Sequence, residues 1–366
     1  MTRKTASIAP LLLALVCAQA AARQLPEPKL TPTPSNEKQT ALIREGVALH
    51  ERGDYDGAVR KYEEVLAENP SNTVALYEMG YALFAKKDYK RSLEVGYRGA
   101  QYKSDQLGHI LMLVGNNLDQ LGEPQKAVEA YKKGIKLFPA DGMLHFNLAI
   151  TYRNMKKPEE SRKSLKAAVT HSPTHASSHL ALAVTFFEGG YRVPAFFAAA
   201  RFLTLEPSSQ RSAAAARIMT EVLRGGATKG SKPNEINLAL DLSAKKDEGD
   251  FSTVDLVMGL SGAMTLSEEK GKAKTQAQLL AEQVGTVLGL LEEDAGKKKQ
   301  SSFTHQYYLP YFVELKRKGH AEAFTYHTLQ ATGLPGVREW LEANSGRVMQ
   351  FLIWSKGYQW PKDVKL

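Results

Sequence analysis

The chain has 366 residues, 43% hydrophobic and 24% charged, with a formal net charge of +9 and a single cysteine. These proportions suit a folded globular protein and exclude a low-complexity or disordered chain. One cysteine excludes a disulfide framework and a cysteine-built zinc centre.

Arg3 and Lys4 precede an apolar run from Ile8 to Ala18, which passes into the small-residue patterns Ala18-Gln19-Ala20 and Ala20-Ala21-Ala22. A positive start, a short apolar stretch and a small-residue exit predict a cleavable secretory signal peptide over residues 1–22. The run is too short for a spanning helix, which needs about 20 apolar residues. Cleavage removes Cys17, and the loss of Arg3 and Lys4 lowers the net charge from +9 to +7. No later segment is long and apolar enough to cross a membrane, so the expected product is a soluble periplasmic or secreted protein. Residues 23–38 hold Pro26, Pro28, Pro32 and Pro34 and read as an extended, poorly ordered linker.

From residue 39 the chain repeats itself. Pro70, Pro139, Pro173 and Pro207 are separated by 69, 34 and 34 residues, and Ser104 stands midway through the long interval. Small residues recur at Gly46, Gly80, Gly115, Ala149 and Ala183, and again at Ala58, Ser92, Ala127, Ser161 and Ala195. Turn signals fall between them, at Gly53-Asp54-Tyr55, Asp88-Tyr89, Gly122-Glu123-Pro124, Pro158 and Gly190. Each unit therefore reads as a helix, a tight turn, a second helix and a proline that stops it. The small residues mark where paired helices cross. One such pair cannot bury its apolar face alone, so the units must stack.

These residues resemble the tetratricopeptide repeat, five units in tandem from Gln39 to Ser209. Leu42, Leu76, Leu111, His145 and His179 stand where the family usually has Trp. The resemblance implies an all-α fold: a superhelical solenoid of five repeats with a capping helix over Gln210–Leu223, the array filling residues 39–224. It also implies a concave inner wall, built by the first helices, that binds a peptide or helix of a protein partner. On that wall the helical period places Tyr77, Tyr81, Phe84, Met112, Asn116, Phe146, Asn147, Ile150 and Arg153, beside His50, Leu180, Val184 and Phe187. Tyr77, Tyr81 and Phe84 form a stripe distinct from Leu76, Met79, Gly80 and Leu83, which serve the core. Asn116 and Asn147 stand where family members often bond a peptide backbone. Met112 and Ser177 replace the lysines that would clamp a terminal carboxylate, so a peptide with apolar side chains is expected.

Residues 225–234 read as a linker, with Gly225, Gly226, Gly230 and Pro233. Beyond it, Ile236, Leu238, Leu240 and Leu242 alternate with other residues and fit a short strand or a helix start. Helical patterns follow at 253–266, 274–293, 303–318, 321–330, 337–343 and 347–354, making residues 235–366 a C-terminal helical domain that resembles no family. The clusters Lys297-Lys298-Lys299 and Lys316-Arg317-Lys318 read as solvated, with contact to an anionic membrane as the sharper alternative. Nucleic-acid binding conflicts with export and has no motif.

No metal or cofactor is expected. Pro173 breaks the spacing of His171, His175 and His179, so they do not share one helical face. Nucleophile-elbow, zinc-protease, phosphate-loop and dinucleotide patterns are all missing. The expected function is a non-enzymatic scaffold in the cell envelope. The alternative is a hydrolase or transferase with its site in the C-terminal domain, where His305, His320, His327 and Glu322 could gather.

Overall fold

The computed structural model describes residues 24–232, 235–238, 246–268, 274–296 and 302–366. Residues 1–22, where the sequence predicts a signal peptide with Cys17, lie outside the described residues, as do Pro233, Leu240, Leu242 and the Lys297-Lys298-Lys299 cluster. What is described is all-α but for one two-stranded hairpin. The chain divides into two compact units, one through Pro139 and one from Ala140 to Leu366.

The first unit holds three stacked helix pairs: α1 (Glu37–Glu51) with α2 (Tyr55–Glu68), α3 (Thr73–Ala85) with α4 (Tyr89–Gly99), and α5 (Leu107–Gln120) with α6 (Pro124–Leu137). Local chemistry sets their starts. Asn36 and Gln39 form a capping box on α1, Asp54 accepts from the Gly57 amide on α2, and Asn72 accepts from Ala75 on α3. On α6 a proline at the first turn takes the place of a side-chain cap. Gly46 lies under the buried Tyr62 ring of the same pair, where a Cβ would sit 2.5 Å from a ring carbon. This is the close crossing that the repeat pattern predicts. Inter-pair packing comes from Leu76, Met79 and Leu83 of α3 with Val59, Val65 and Leu66 of α2.

The turn inside each pair needs one left-handed residue. Gly53 and Gly122 fill that place at φ +81° and +78°, whereas Lys87 fills it at +69°. In the second unit Lys156 and Gly190 do the same at +59° and +80°.

The Pro-rich segment departs from its expected disorder. Its non-proline amides find partners on the loops that join successive pairs. Lys29 and Leu30 both donate to Gln101 O at 2.9 Å, Lys103 donates back to Leu30 O at 2.8 Å, and Thr33 donates to Ser71 Oγ at 2.9 Å. Asn69 and Asn72 donate to Thr33 O and Ser35 Oγ, and Lys133 reaches Pro26 O and Glu27. Leu25 packs near Ala100, Leu107 and Ile110. Proline holds this segment extended without internal bonds, so its remaining donors are free to dock.

In the second unit α7 (Gly142–Asn154) pairs with α8 (Pro158–His171) and α9 (Ala176–Glu188) with α10 (Arg192–Leu205), followed by α11 (Ser212–Arg224). The expected linker contains a strand: β1 (Ala227–Lys229) pairs antiparallel with β2 (Ile236–Leu238), Thr228 opposite Asn237. The C-terminal part comprises α12 (Ser252–Glu268), α13 (Gln276–Ala295), α14 (Phe303–Arg317), α15 (Ala321–Thr328), a 3-10 turn (Leu329–Thr332), α16 (Val337–Ala343) and α17 (Ser345–Gly357).

These C-terminal helices share one core with the last two repeats, whereas the sequence reading sets them apart as a domain from residue 235. The physical reason is α10, which is buried on every side from Val193 to Thr204. A helix apolar all round needs cover on its outer face. Helix α14 supplies it, with Phe312 stacked on Phe197 at 4.6 Å and Tyr307 donating to Val169 O. Trp360 closes this layer, 4.8 Å from the Tyr307 ring and 4.9 Å from that of Tyr311.

Candidate functional site

The first helices of the first unit carry a ladder of aromatic rings. His50 of α1 stacks on Tyr81 of α3 at 4.9 Å, Tyr81 on Tyr77 at 6.1 Å, and Tyr77 meets His109 of α5 at 5.5 Å. Tyr55, at the start of α2, closes one end with its edge on His50 at 5.2 Å. The spacing has a simple origin: Tyr77 and Tyr81 are four residues apart, hence neighbours on one helical face. Their helix meets its core obligation through Leu76, Met79 and Leu83, all buried, while Tyr81 remains 45% exposed.

Burial pushes the His50 imidazole below its ordinary range and the Tyr77 phenol above it. Burial also raises the neighbouring Glu78 carboxyl. The surface offers the faces and edges of aromatic rings.

Not every residue picked from the sequence joins the ladder. Phe84 leans on Tyr89 of its own pair at 5.3 Å. Met112 is half-buried on α5. Asn116 accepts from the Tyr131 hydroxyl at 2.8 Å, which occupies one of its acceptor positions and fixes its amide. Two ladder members went unread: Tyr55, which lies on a second helix, and His109, which precedes Met112 by three and Asn116 by seven. That i, i+3, i+7 spacing was the available signal for His109.

In the second unit the corresponding face carries Phe146, Asn147 and Ile150 of α7 and Leu180, Val184 and Phe187 of α9, all half-buried. Phe146 is edge-on to His175 at 4.9 Å. Arg153 is exposed and faces Glu188 at 3.4 Å. Helix α14 packs on α8 and α10 and also reaches His179 of α9, while Phe146, Ile150, Leu180, Val184 and Phe187 pack against the shared core and keep part of their surface exposed.

The histidines are spoken for individually. His179 is fully buried: its Nε2–H donates to Pro173 O at 3.0 Å, and the Tyr308 hydroxyl donates to Nδ1 at 2.8 Å. His175 bonds Ser178, and His171 stacks near His145. His305 lies on Phe251 at 4.4 Å, His320 on Trp354 at 5.3 Å, and His327 meets Thr204 O at 3.3 Å. Glu322 pairs with Arg347 at 2.8 Å. Among the described residues no three His, Cys, Asp or Glu side chains converge as metal ligands.

Comparison with known proteins bears on the repeats. The tetratricopeptide-repeat family matches residues 49–95 and, through a second family profile, residues 115–176. The chain carries tetratricopeptide repeats. A curated relative, the TPR repeat-containing protein MJ1428 of Methanocaldococcus jannaschii, is 27% identical over 119 residues, 32% of this chain. The match spans about a fifth of that relative's length (21%). Solved structures with similar repeats include TTC0263, a thermophilic TPR protein of Thermus thermophilus, 21% identical, covering 50% of this chain and 98% of its own, at a TM-score of 0.42. PilF of Pseudomonas aeruginosa is 15% identical over 67% of this chain and 98% of its own, at 0.47. YrrB, described as a TPR protein with an unusual peptide-binding site, is 19% identical over 45% of this chain and 85% of its own, at 0.36. In this chain the tetratricopeptide hairpins place both candidate faces on first helices.

Proposed function

We propose that the protein is a non-catalytic scaffold whose repeats hold an apolar peptide segment or helix of a protein partner on their first-helix faces. The observation that carries this reading is the ladder from His50 through Tyr81 and Tyr77 to His109. It is aromatic and partly exposed on helices whose core stripe is already satisfied. Aromatic side chains make strong interface anchors because they bury a large area at little entropic cost. The half-buried Phe146, Ile150, Leu180, Val184 and Phe187 offer a second apolar strip in the other unit. Asn116 and Asn147 lie beside these strips with amide groups that suit a peptide backbone.

The leader pattern of residues 1–22 supports a role in the cell envelope. That part of the reading is tested by fusing residues 1–38 to a reporter active only after export. The binding role is tested by replacing Tyr81 and Phe146 together with Ala. Both side chains are partly exposed, so the variant keeps the helical content of the parent. It loses at least tenfold in affinity for the partner that the parent captures by crosslinking in the native envelope. Undiminished capture by the double variant sinks the proposal.

A further inference from the structure

We infer that a cleft in the second unit is a binding site for a small amphiphilic carboxylate, a monoanionic head on an apolar chain. The cleft has a volume of about 480 Å³ and lies between α11, α12, α13 and the turn after α15. That size falls within the range of small-molecule sites, roughly 300–1,000 Å³. Its apolar lining comes from Ala213, Ala216, Leu280 and Leu334. Gln283 fixes one wall: it is 4% exposed, and its amide donates to Leu223 O and to Ser261 Oγ, tying α13 to α11 and α12.

Charge on the rim selects the head group. Arg217, Glu221 and Arg224 all line the cleft from α11. Arg217 is met by Glu221 at 3.4 Å. Arg224 forms no ion pair among the described residues and is exposed. One unpaired guanidinium matches one negative charge, and its planar fork suits a carboxylate. A dianion is disfavoured, because Glu221 and the negative end of the α11 dipole lie close by. The apolar lining asks for a chain on that head.

A free medium-chain fatty acid and the C-terminus of a polypeptide ending in leucine both offer this chemistry. Titration calorimetry on the purified protein separates them, with decanoate against decanol in one arm and acetyl-Ala-Leu-Leu against its amide in the other. At least one acid is expected to bind tenfold or more tighter than its neutral counterpart, and the arm that responds names the source. Arg224→Gln removes that preference. Ala213→Trp, at an exposed lining position, fills the cleft and abolishes binding, while Lys229→Gln, outside it, changes nothing. Circular dichroism verifies that each variant folds. The inference is overturned if neither acid binds, if acid and neutral forms bind alike, or if Arg224→Gln binds as the parent does.

Discussion

The Glu248 carboxylate lies 2.8 Å from Lys166 Nζ and 3.2 Å from Arg162 Nε, with 2% of its side chain exposed. It pins the segment before α12 onto α8, and Tyr191 adds a bond to the adjacent Asp247 at 2.9 Å. Removing one partner of a buried ion pair leaves the other charge uncompensated. Glu248→Ala is expected to destabilise the second unit by about 3 kcal/mol. Urea unfolding measures this; a loss under about 0.5 kcal/mol, the size of an ordinary surface change, refutes the assignment.

Trp360 is the keystone of the aromatic layer over α10. It is 9% exposed and lies under the Arg201 guanidinium, 4.9 Å from it. Arg201 is itself 2% exposed and donates to Ser355 Oγ and Pro173 O. Trp360→Ala opens a cavity and strips Arg201 of one stacking surface, with an expected cost of about 3 kcal/mol. The thermal midpoint should fall by several degrees, and a midpoint unchanged from the parent contradicts this packing.

Acid sensitivity follows from His179. Burial, with Arg201 nearby, lowers its pKa from 6.5 to about 3. The bond donated by Tyr308 to Nδ1 requires the neutral ring. Unfolding restores the ordinary value, so between these two limits the unfolded chain binds more protons than the folded one. The stabilising contribution is complete above pH 6.5 and is lost as pH falls toward 3, by up to roughly 1.4 kcal/mol per pH unit. His179→Gln should flatten the pH dependence of the urea midpoint over that window. Parallel curves for parent and variant exclude the linkage.

The turn lysines give a prediction of opposite sign. Lys87 and Lys156 occupy the left-handed place that Gly53, Gly122 and Gly190 fill in the other repeats. A side chain there costs about 1 kcal/mol or more, offset in part by the larger entropy of an unfolded glycine. Lys156→Gly is therefore expected to stabilise the fold by a few tenths to about 1 kcal/mol. Gly190→Ala should destabilise by a similar amount. Chemical denaturation of both variants decides, and equal signs count against the shared turn geometry.

Residue spacing alone was enough to read the repeat hairpins, because each obeys local rules. Small residues at the crossings, turn signals such as Gly53-Asp54-Tyr55, and prolines at the ends all act within a few residues of themselves. The apolar stripe of α3 was legible for the same reason, and with it the surplus of Tyr77 and Tyr81 on a separate stripe of that helix. The rest of the site was not. That His50 stacks on Tyr81 and that His109 meets Tyr77 at a tilt depend on how neighbouring hairpins align, and Asn116 loses an acceptor position to a tyrosine fifteen residues away.

Sequence by itself determined which residues form hairpins and which faces of those helices are left over, since the helical period and turn chemistry are local. Tertiary structure alone decided that the C-terminal helices belong to the core of the last two repeats, because only packing shows that α10 needs an outer cover. It also decided that the proline-rich segment docks rather than drifts. Its free amides meet loop acceptors brought together from residues 71 and 101, positions that no linear pattern relates to it.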